Sequence, residues 1–349
     1  MLKGITVQEL IDRVVIDARS KQDFIVPARA VKVLDGGLMD WDGRTAPMPM
    51  TKVAEDQLNT YLGIPSRFVD RLRTDAPDLI SVNMNRLLQT KTDDRRMVRV
   101  LNGSARAWLS DRYRCLDYID MAEHLLPIIK NAGYQILTAN ITETKMYITV
   151  VSPDIAGEIK VGSPVRFGWT ISDSEVGKGS LNIQLFMEVL RCTNGMTIQE
   201  FSKRKAHLGG RADSDTESLV TLSNETIEAS DKALWLGVRD HMREFSTPDG
   251  LLRVITKLKA QAEAWVLGDP TAVIETLGNK FLLNEDEKKS VLYSFLEEGD
   301  RTRWGLSNAI TQVANDHADY DRGMELQKLG GDLLMSSAYE FKTIATATA

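Results

Sequence analysis

Cysteine and histidine are scarce in this chain of 349 residues, which contains two cysteines and four histidines. Cys115 and Cys192 lie far apart in the sequence, so we expect a reducing compartment and no disulfide framework. The histidines and cysteines show no metal-ligand spacing. The sequence therefore predicts no metal site built from these residues, and no cofactor.

Long apolar runs are also missing. No stretch of 18 consecutive apolar residues occurs, so the sequence predicts no membrane-spanning helix. The first residues, MLKGITVQELIDR, have the pattern of an amphipathic helix and lack the apolar centre of a signal peptide. We therefore expect a cytoplasmic protein that does not interact with membranes.

Recognisable catalytic motifs are absent as well. The stretch Gly177–Ser180 (GKGS) is similar to a phosphate-binding loop, but Ser172 stands where the Walker pattern needs a glycine, and Lys178 is followed by Gly179. No G-x-S-x-G motif occurs. We therefore expect a protein that is not an enzyme and has no catalytic residues.

One catalytic alternative stays open at this stage. Asp111, Asp173 and Glu175 are acidic residues at expected turns, and carboxylates of this kind can hold Mg²⁺ for phosphodiester cleavage. Acidic residues are common in turns for structural reasons, so this pattern has low specificity. A metal-dependent nuclease is the corresponding hypothesis.

Charge is unevenly distributed along the chain. The whole chain has 43 basic and 49 acidic residues and a net charge of −6, yet 18 basic and 13 acidic residues lie between Arg86 and Arg211. A basic middle flanked by acidic ends is compatible with an anionic ligand bound by the middle.

A β-hairpin is predicted within this basic region, at Met97–Ser110. Asn102–Gly103 lies between two alternating runs and is a strong signal for a tight hairpin turn. A two-residue turn pairs Arg99 with Arg106 and places both on the same face as Trp108, opposite an apolar face. Two facing arginines repel each other unless an anion lies over them. An exposed tryptophan beside arginines suits a nucleic-acid strand, although a solvated face would show the same pattern.

The remaining pattern predicts an α+β fold. The expected core is a β-hairpin, a helix, a three-strand antiparallel meander and a second helix, followed by a large all-helical C-terminal region. The elements after the hairpin are helix Ile119–Ala132, strands Tyr134–Thr142, Lys145–Val151 and Val165–Ser172, and helix Asn182–Thr193, which Asn194–Gly195 would cap. Further on, Arg303–Leu329 and Gly331–Lys342 are among the expected helices. We expect three regions: 1–90 mixed and helical, 91–212 the α+β core, and 213–349 helical.

Three blocks, in order, carry a resemblance to a known family: Asn102–Asp117 (NGSARAWLSDRYRCLD), Ile171–Thr197 (ISDSEVGKGSLNIQLFMEVLRCTNGMT) and Trp304–Leu333 (WGLSNAITQVANDHADYDRGMELQKLGGDL). Together with Asp56–Leu88 they resemble the phage/plasmid-like family catalogued as domain of unknown function 932. Its members are common in phages, plasmids and prophages. The resemblance implies a role in replication, recombination or anti-defence, in the host cytoplasm if the chain is phage-encoded.

The expected order of elements also resembles the core of single-strand annealing recombinases, the superfamily that includes Redβ- and RecT-type proteins. That resemblance implies a homo-oligomeric ring or filament that holds single-stranded DNA in a basic groove without a nucleotide cofactor. The residues at the corresponding positions are Arg99, Arg106, Arg112, Arg114, Arg166, Lys178 and Arg191, and the hairpin pattern adds Trp108 as the residue that would stack on a base. The sequence thus predicts a DNA-binding protein that anneals complementary strands. The alternatives are a phage protein that binds a host, phage or defence factor, and the nuclease described above.

Overall fold

The computed structural model describes residues 2–42, 46–114, 116–154, 156–191, 193–205 and 224–348. Strands and helices are mixed over the first 205 residues, and the described residues from 224 onward form helices and their connections. The predicted α+β class with a large helical C-terminal region is confirmed. No described helix combines the length and the apolar character needed to cross a membrane.

The described strands form three antiparallel sheets. The first ones in the chain are β1 (Gln22–Pro27), β2 (Val31–Leu34), β3 (Leu38–Trp41), β4 (Met48–Pro49), β5 (Arg95–Leu101) and β6 (Ser104–Ser110). The later ones are β7 (Gln135–Ile141), β8 (Met146–Val151), β9 (Gly157–Lys160), β10 (Ser163–Asp173), β11 (Leu181–Val189) and β12 (Asn194–Lys205).

The helices cover the sheets and form the C-terminal region. Those in the first half are α1 (Val7–Ser20), α2 (Lys52–Leu62), α3 (Ser66–Asp75), α4 (Asp78–Leu88) and α5 (Tyr118–Asn131). The others are α6 (Asn224–Glu244), α7 (Pro248–Ala262), α8 (Pro270–Phe281), α9 (Glu285–Glu298), α10 (Arg303–Asn315), α11 (Tyr320–Met335) and α12 (Ala338–Ala345).

The largest sheet has six strands, in the order β12-β11-β10-β8-β7, with β9 paired to the start of β10. Successive side chains of a strand point to opposite faces. In β10, Phe167 and Trp169 belong to the apolar core, as the alternation in the sequence predicts, while Thr170 and Ser172 lie on the other face. Helices α1, α5, α6 and α7 contribute buried side chains to the core on the apolar face.

The helix predicted at Asn182–Thr193 is wrong, because residues 181–189 form strand β11. Asn194–Gly195 begins β12 and does not cap a helix. The alternation from Leu181 to Val189 explains the outcome, since the odd-numbered side chains enter the core and the even-numbered ones face away from it. The order of elements that resembles annealing recombinases therefore differs here, because the next described helix, α6, follows β12.

The register predicted for the hairpin is also wrong beyond its turn. Leu101 pairs with Ser104 and Val100 with Ala105, but a bulge then sets Arg99 opposite Ala107. Arg106 is the extra residue of the bulge, so the two arginines do not face each other. Strand β1 pairs with β5, so the hairpin belongs to a three-stranded sheet, β1-β5-β6.

The C-terminal region differs from the prediction in its helix boundaries. The expected helix Arg303–Leu329 is interrupted at residues 316–319 and becomes α10 and α11, and α12 begins only at Ala338. Helix α11 packs directly on β12, and a methyl group at Gly331 would overlap the carbonyl oxygen of Thr197. Glycine at this position allows the helix to lie against the strand.

Candidate functional site

The arginines expected to contact DNA, Arg99 and Arg106, are buried in the protein. Their exposed fractions are 2% and 7%. Arg99 donates hydrogen bonds to Asp23 Oδ1 (2.8 Å), Asp117 Oδ1 (2.7 Å) and the Glu175 carbonyl oxygen (3.0 Å). The expectation that both arginines lie on an exposed face is therefore wrong.

Glu175 is the anion at the centre of this buried ion cluster. Its carboxylate accepts hydrogen bonds from Arg106 Nη1 (2.8 Å), Lys21 Nζ (2.5 Å) and the Tyr118 backbone nitrogen (2.7 Å). Lys21 also lies 3.2 Å from Asp117. Six side chains thus form the cluster, three cations and three anions: Lys21, Asp23, Arg99, Arg106, Asp117 and Glu175.

The charges in the ion cluster compensate each other. Burial alone would raise the pKa of Asp117, but the Arg99 and Lys21 cations outweigh it, and the pKa of this carboxyl is lowered. The cluster joins the hairpin to the start of α5 and to residues 174–180, which connect β10 to β11 and which we call the β10–β11 loop. The protein itself supplies the anions that the two arginines require.

Trp108, expected as an exposed base-stacking residue, is 3% exposed. The bulge at Arg106 turns it toward the apolar side chains between the two small sheets, beside Val98. Its ring lies 5.8 Å from that of Tyr61. Trp108 is therefore a core residue, and the expectation that it is exposed is wrong.

The other predicted site residues are dispersed. Arg112 is exposed, and Arg114 forms an ion pair with Asp231. Arg166 forms an ion pair with Glu188 at 2.6 Å, near the sheet end that also carries the exposed Arg191. Lys178 is exposed at the opposite end, in the β10–β11 loop. Strand β11, nine residues long, separates the two ends by roughly 30 Å at about 3.4 Å per residue. These residues do not form one continuous groove.

The carboxylates considered as metal ligands are not assembled either. Glu175 is engaged by two cations, and Asp111 lies in an exposed turn after β6. Within the residues that the structure describes, no group of three or more His, Cys, Asp or Glu side chains is placed to hold a metal ion.

A different site lies on the polar face of the six-stranded sheet, beneath α11. We call it the sheet cleft; its cavity volume is about 320 Å³. Strands β8, β10, β11 and β12 supply its floor, and Met324, Glu325 and Lys328 of α11 form a wall. Hydroxyl and amide groups dominate the floor: Tyr147, Thr170, Ser172, Asn182, Gln184, Thr197, Gln199 and Ser202.

Basic side chains also line the sheet cleft. Lys145, Arg204 and Lys328 take part in no ion pair among the described residues, whereas the acidic Glu325 lies 2.8 Å from Arg322. The cation of Lys328 also acts on nearby Asp332. The pKa of this carboxyl is raised, because the effect of burial outweighs the opposing effect of Lys328. The cleft thus concentrates positive charge in a chain whose net charge is −6. It has the properties of a site for a polar, anionic ligand.

Sequence reasoning missed most of this site for two reasons. Reading β11 as a helix concealed that Asn182 and Gln184 share a face with Thr170 and Ser172. No strand was predicted after Asn194–Gly195, but β12 continues to Lys205 and places Arg204 beside Ser180. The alternation of polar residues along β11 was the signal that could have identified the cleft.

Comparisons with known proteins do not assign a family or a function to this chain. Among family models, curated proteins and solved structures, none matches the chain. The resemblances to the phage/plasmid-like family and to annealing recombinases stay predictions from the sequence.

Proposed function

We propose that this protein binds single-stranded DNA through the sheet cleft and promotes annealing of complementary strands in recombination or replication, without hydrolysing a nucleotide. The observation that supports the proposal is the set of three basic side chains without ion-pair partners among the described residues, Lys145, Arg204 and Lys328, above a floor of hydroxyl and amide groups. Phosphate oxygens accept hydrogen bonds from all of these groups.

The composition of the cleft favours contacts to the backbone over contacts to bases. Among the described residues that line it, Tyr147 is the aromatic one, and its ring is buried with its centre 5.6 Å from that of the Tyr320 ring. A strand held by its phosphates keeps its bases available for pairing, and binding of this kind tolerates any sequence. Annealing needs these two properties and no covalent chemistry.

Lys178 is the sequence-predicted residue that adjoins the cleft. It precedes Gly179 and Ser180, which line the cavity. Its backbone nitrogen donates to Ser174 Oγ at 2.9 Å, and Ser174 Oγ donates to the Thr144 carbonyl oxygen at 2.7 Å. These bonds fix the β10–β11 loop at the edge of the cleft, where the cation of Lys178 adds to the positive potential.

The test is fluorescence anisotropy with a labelled oligonucleotide, single-stranded or double-stranded, over a salt series without metal or nucleotide. Each phosphate that the cleft neutralises contributes roughly −0.7 to the slope of log K against log salt for a single strand. We expect Lys145→Gln/Arg204→Gln/Lys328→Gln to weaken binding at least tenfold. The control Arg71→Gln/Arg253→Gln/Lys289→Gln removes the same charge from exposed positions outside the cleft.

The two triple variants separate site binding from general attraction. Equal losses in both would mean that net charge, not the cleft, attracts DNA. Absence of binding by the unmodified protein at low salt would contradict the proposal directly. Complementary-strand annealing, followed by loss of a single-strand-specific dye signal, should weaken in parallel with binding.

A partner-protein function is the second candidate, and a groove along α9 favours it. This groove of about 860 Å³ is lined by acidic side chains, among them Asp286, Glu297 and Asp316, and by Tyr293, which is 70% exposed. An acidic groove with an exposed aromatic ring suits a basic segment of another protein. Tyr293→Ala should then abolish capture of that partner and leave binding of DNA unchanged.

A further inference from the structure

We infer that one end of the sheet cleft recognises a nucleotide phosphomonoester, the phosphate of a strand terminus or of a mononucleotide, in preference to an internal phosphodiester. The inference deepens the proposed function and rests on it for the identity of the ligand as a nucleotide. The end in question consists of Lys145, Gly179, Ser180 and Arg204, and we call it the phosphate corner.

Contacts within the corner place each of its two basic side chains against the β10–β11 loop. Ser180 Oγ accepts a hydrogen bond of 2.6 Å from Arg204 Nε, which leaves the two terminal nitrogens of the guanidinium available for a ligand. A methyl group at Gly179 would lie 3.1 Å from Lys145 Cε, so the lysine side chain runs along the glycine. The turn before β8, strand β12 and the β10–β11 loop thus bring Lys145 and Arg204 to the same end of the cleft.

Charge favours a phosphomonoester at this point. A phosphomonoester carries close to two negative charges at pH 7 because its second pKa is about 6, and each internal phosphate of a strand carries one. Lys145 and Arg204 form no ion pair among the described residues, so a dianion compensates both cations, whereas a monoanion compensates one. Guanidinium groups also bind phosphate oxygens in a bidentate manner.

Size and floor chemistry favour a single nucleotide. The cavity of about 320 Å³ lies at the lower end of the range for small-molecule pockets, roughly 300–1,000 Å³, so it accommodates little more than one nucleotide. Beyond the corner, Thr170, Gln184 and Thr197 offer donors and acceptors to a sugar or base. The GKGS stretch, which fails the Walker pattern, contributes Gly179 and Ser180 to this corner.

Calorimetry with defined probes tests the inference. The ligands are a 12-nucleotide oligothymidylate with a 5′-phosphate, a 3′-phosphate or neither, and deoxyadenosine monophosphate against deoxyadenosine. We expect at least tenfold tighter binding of one phosphorylated terminus than of the unphosphorylated strand, and binding of the monophosphate but not of the nucleoside. The preference should fall roughly fourfold between pH 7.5 and 5.5, as the dianion becomes protonated.

Variants locate the effect. Lys145→Gln/Arg204→Gln should remove the preference, and Ser180→Ala should reduce it by releasing the guanidinium. Arg71→Gln, on α3, is the control and should preserve it. Far-UV circular dichroism and thermal unfolding check that each variant is folded.

The outcomes distinguish the inference from the proposed function. Strand binding that depends on Lys145 and Arg204 but ignores terminal phosphate overturns the inference and leaves the proposed function intact. Binding of the monophosphate without binding of any strand supports the corner and overturns the proposed function. Equal affinity for the nucleoside and its monophosphate would contradict the inference that the phosphate corner binds a phosphomonoester.

Discussion

Replacing Glu175 by glutamine should destabilise the protein by about 3 kcal/mol, because it removes the central anion of the ion cluster. Glu175 is 2% exposed and accepts hydrogen bonds from Lys21, Arg106 and the Tyr118 backbone nitrogen. Breaking a buried ion pair by removing one partner typically costs about 3–5 kcal/mol, since the remaining charge is buried without compensation.

Two remaining contacts place the expected loss at the lower end of that range. After the substitution Lys21 still has Asp117 as a partner at 3.2 Å, and the guanidinium of Arg106 still lies 5.8 Å from the centre of the Tyr118 ring. The measurement is urea unfolding at pH 7, followed by circular dichroism. Glu244→Gln is the matched control, because it removes an exposed ion pair with Arg253 and should cost less than about 1 kcal/mol.

A double-mutant cycle makes the test specific to the pair. Arg106→Met combined with Glu175→Gln should be less destabilised than the sum of the single variants by at least about 1 kcal/mol, because the double variant contains neither charge. A loss below about 1 kcal/mol for Glu175→Gln alone, or strictly additive losses, would refute the reasoning.

The ion cluster also changes how DNA-binding variants should be designed. Arg99→Glu and Arg106→Glu would place carboxylates among Asp23, Asp117 and Glu175, where like charges repel. We expect such variants to fail by unfolding. Loss of DNA binding in them would therefore carry no information about contact with DNA.

Three further predictions address pH dependence, helix packing and Trp108. The lowered pKa of Asp117, where neighbouring cations outweigh burial, means that its stabilising effect is present above the unfolded-state value of about 3.9 and is lost as the pH falls through the lower folded-state pKa. Asp117→Asn should thus lower the free energy of unfolding at pH 7 by roughly 1–2 kcal/mol. It should also weaken the loss of stability with falling pH in the acidic range, and an unchanged acidic range would contradict the lowered pKa of Asp117. Gly331→Ala should separate α11 from β12, which costs about 3 kcal/mol and weakens oligonucleotide binding. Glu325→Ala, at an exposed position of the same helix in the wall of the cleft, is a control for stability alone and should change it by less than about 0.5 kcal/mol in thermal unfolding. Trp108→Ala should lower the free energy of unfolding in urea by about 3–5 kcal/mol, because the side chain is buried, and should leave the salt dependence of DNA binding unchanged. Weaker, less salt-dependent binding with unchanged stability would instead indicate that Trp108 stacks on a base.

The sequence predicts the structure correctly where residues close together in the chain decide it. The Asn102–Gly103 turn, the alternation in β10 and helix α5 follow from backbone preference and periodicity, which act over a few residues. The α+β class and the helical C-terminal region follow from the same signals.

Long-range contacts decided the rest. Ile183 and Phe186 have helical spacing, but pairing with β10 and β12 makes β11 a strand, because a central strand gains hydrogen bonds and core contacts on both sides. The bulge at Arg106 reversed the exposure of Trp108, because one extra residue exchanges the two faces of a strand. The residues that surround Arg99 and those that line the sheet cleft are distant in sequence. By itself the sequence thus determined the local elements and the fold class, and only the tertiary structure decided which basic residues are buried in ion pairs and which remain available to a ligand.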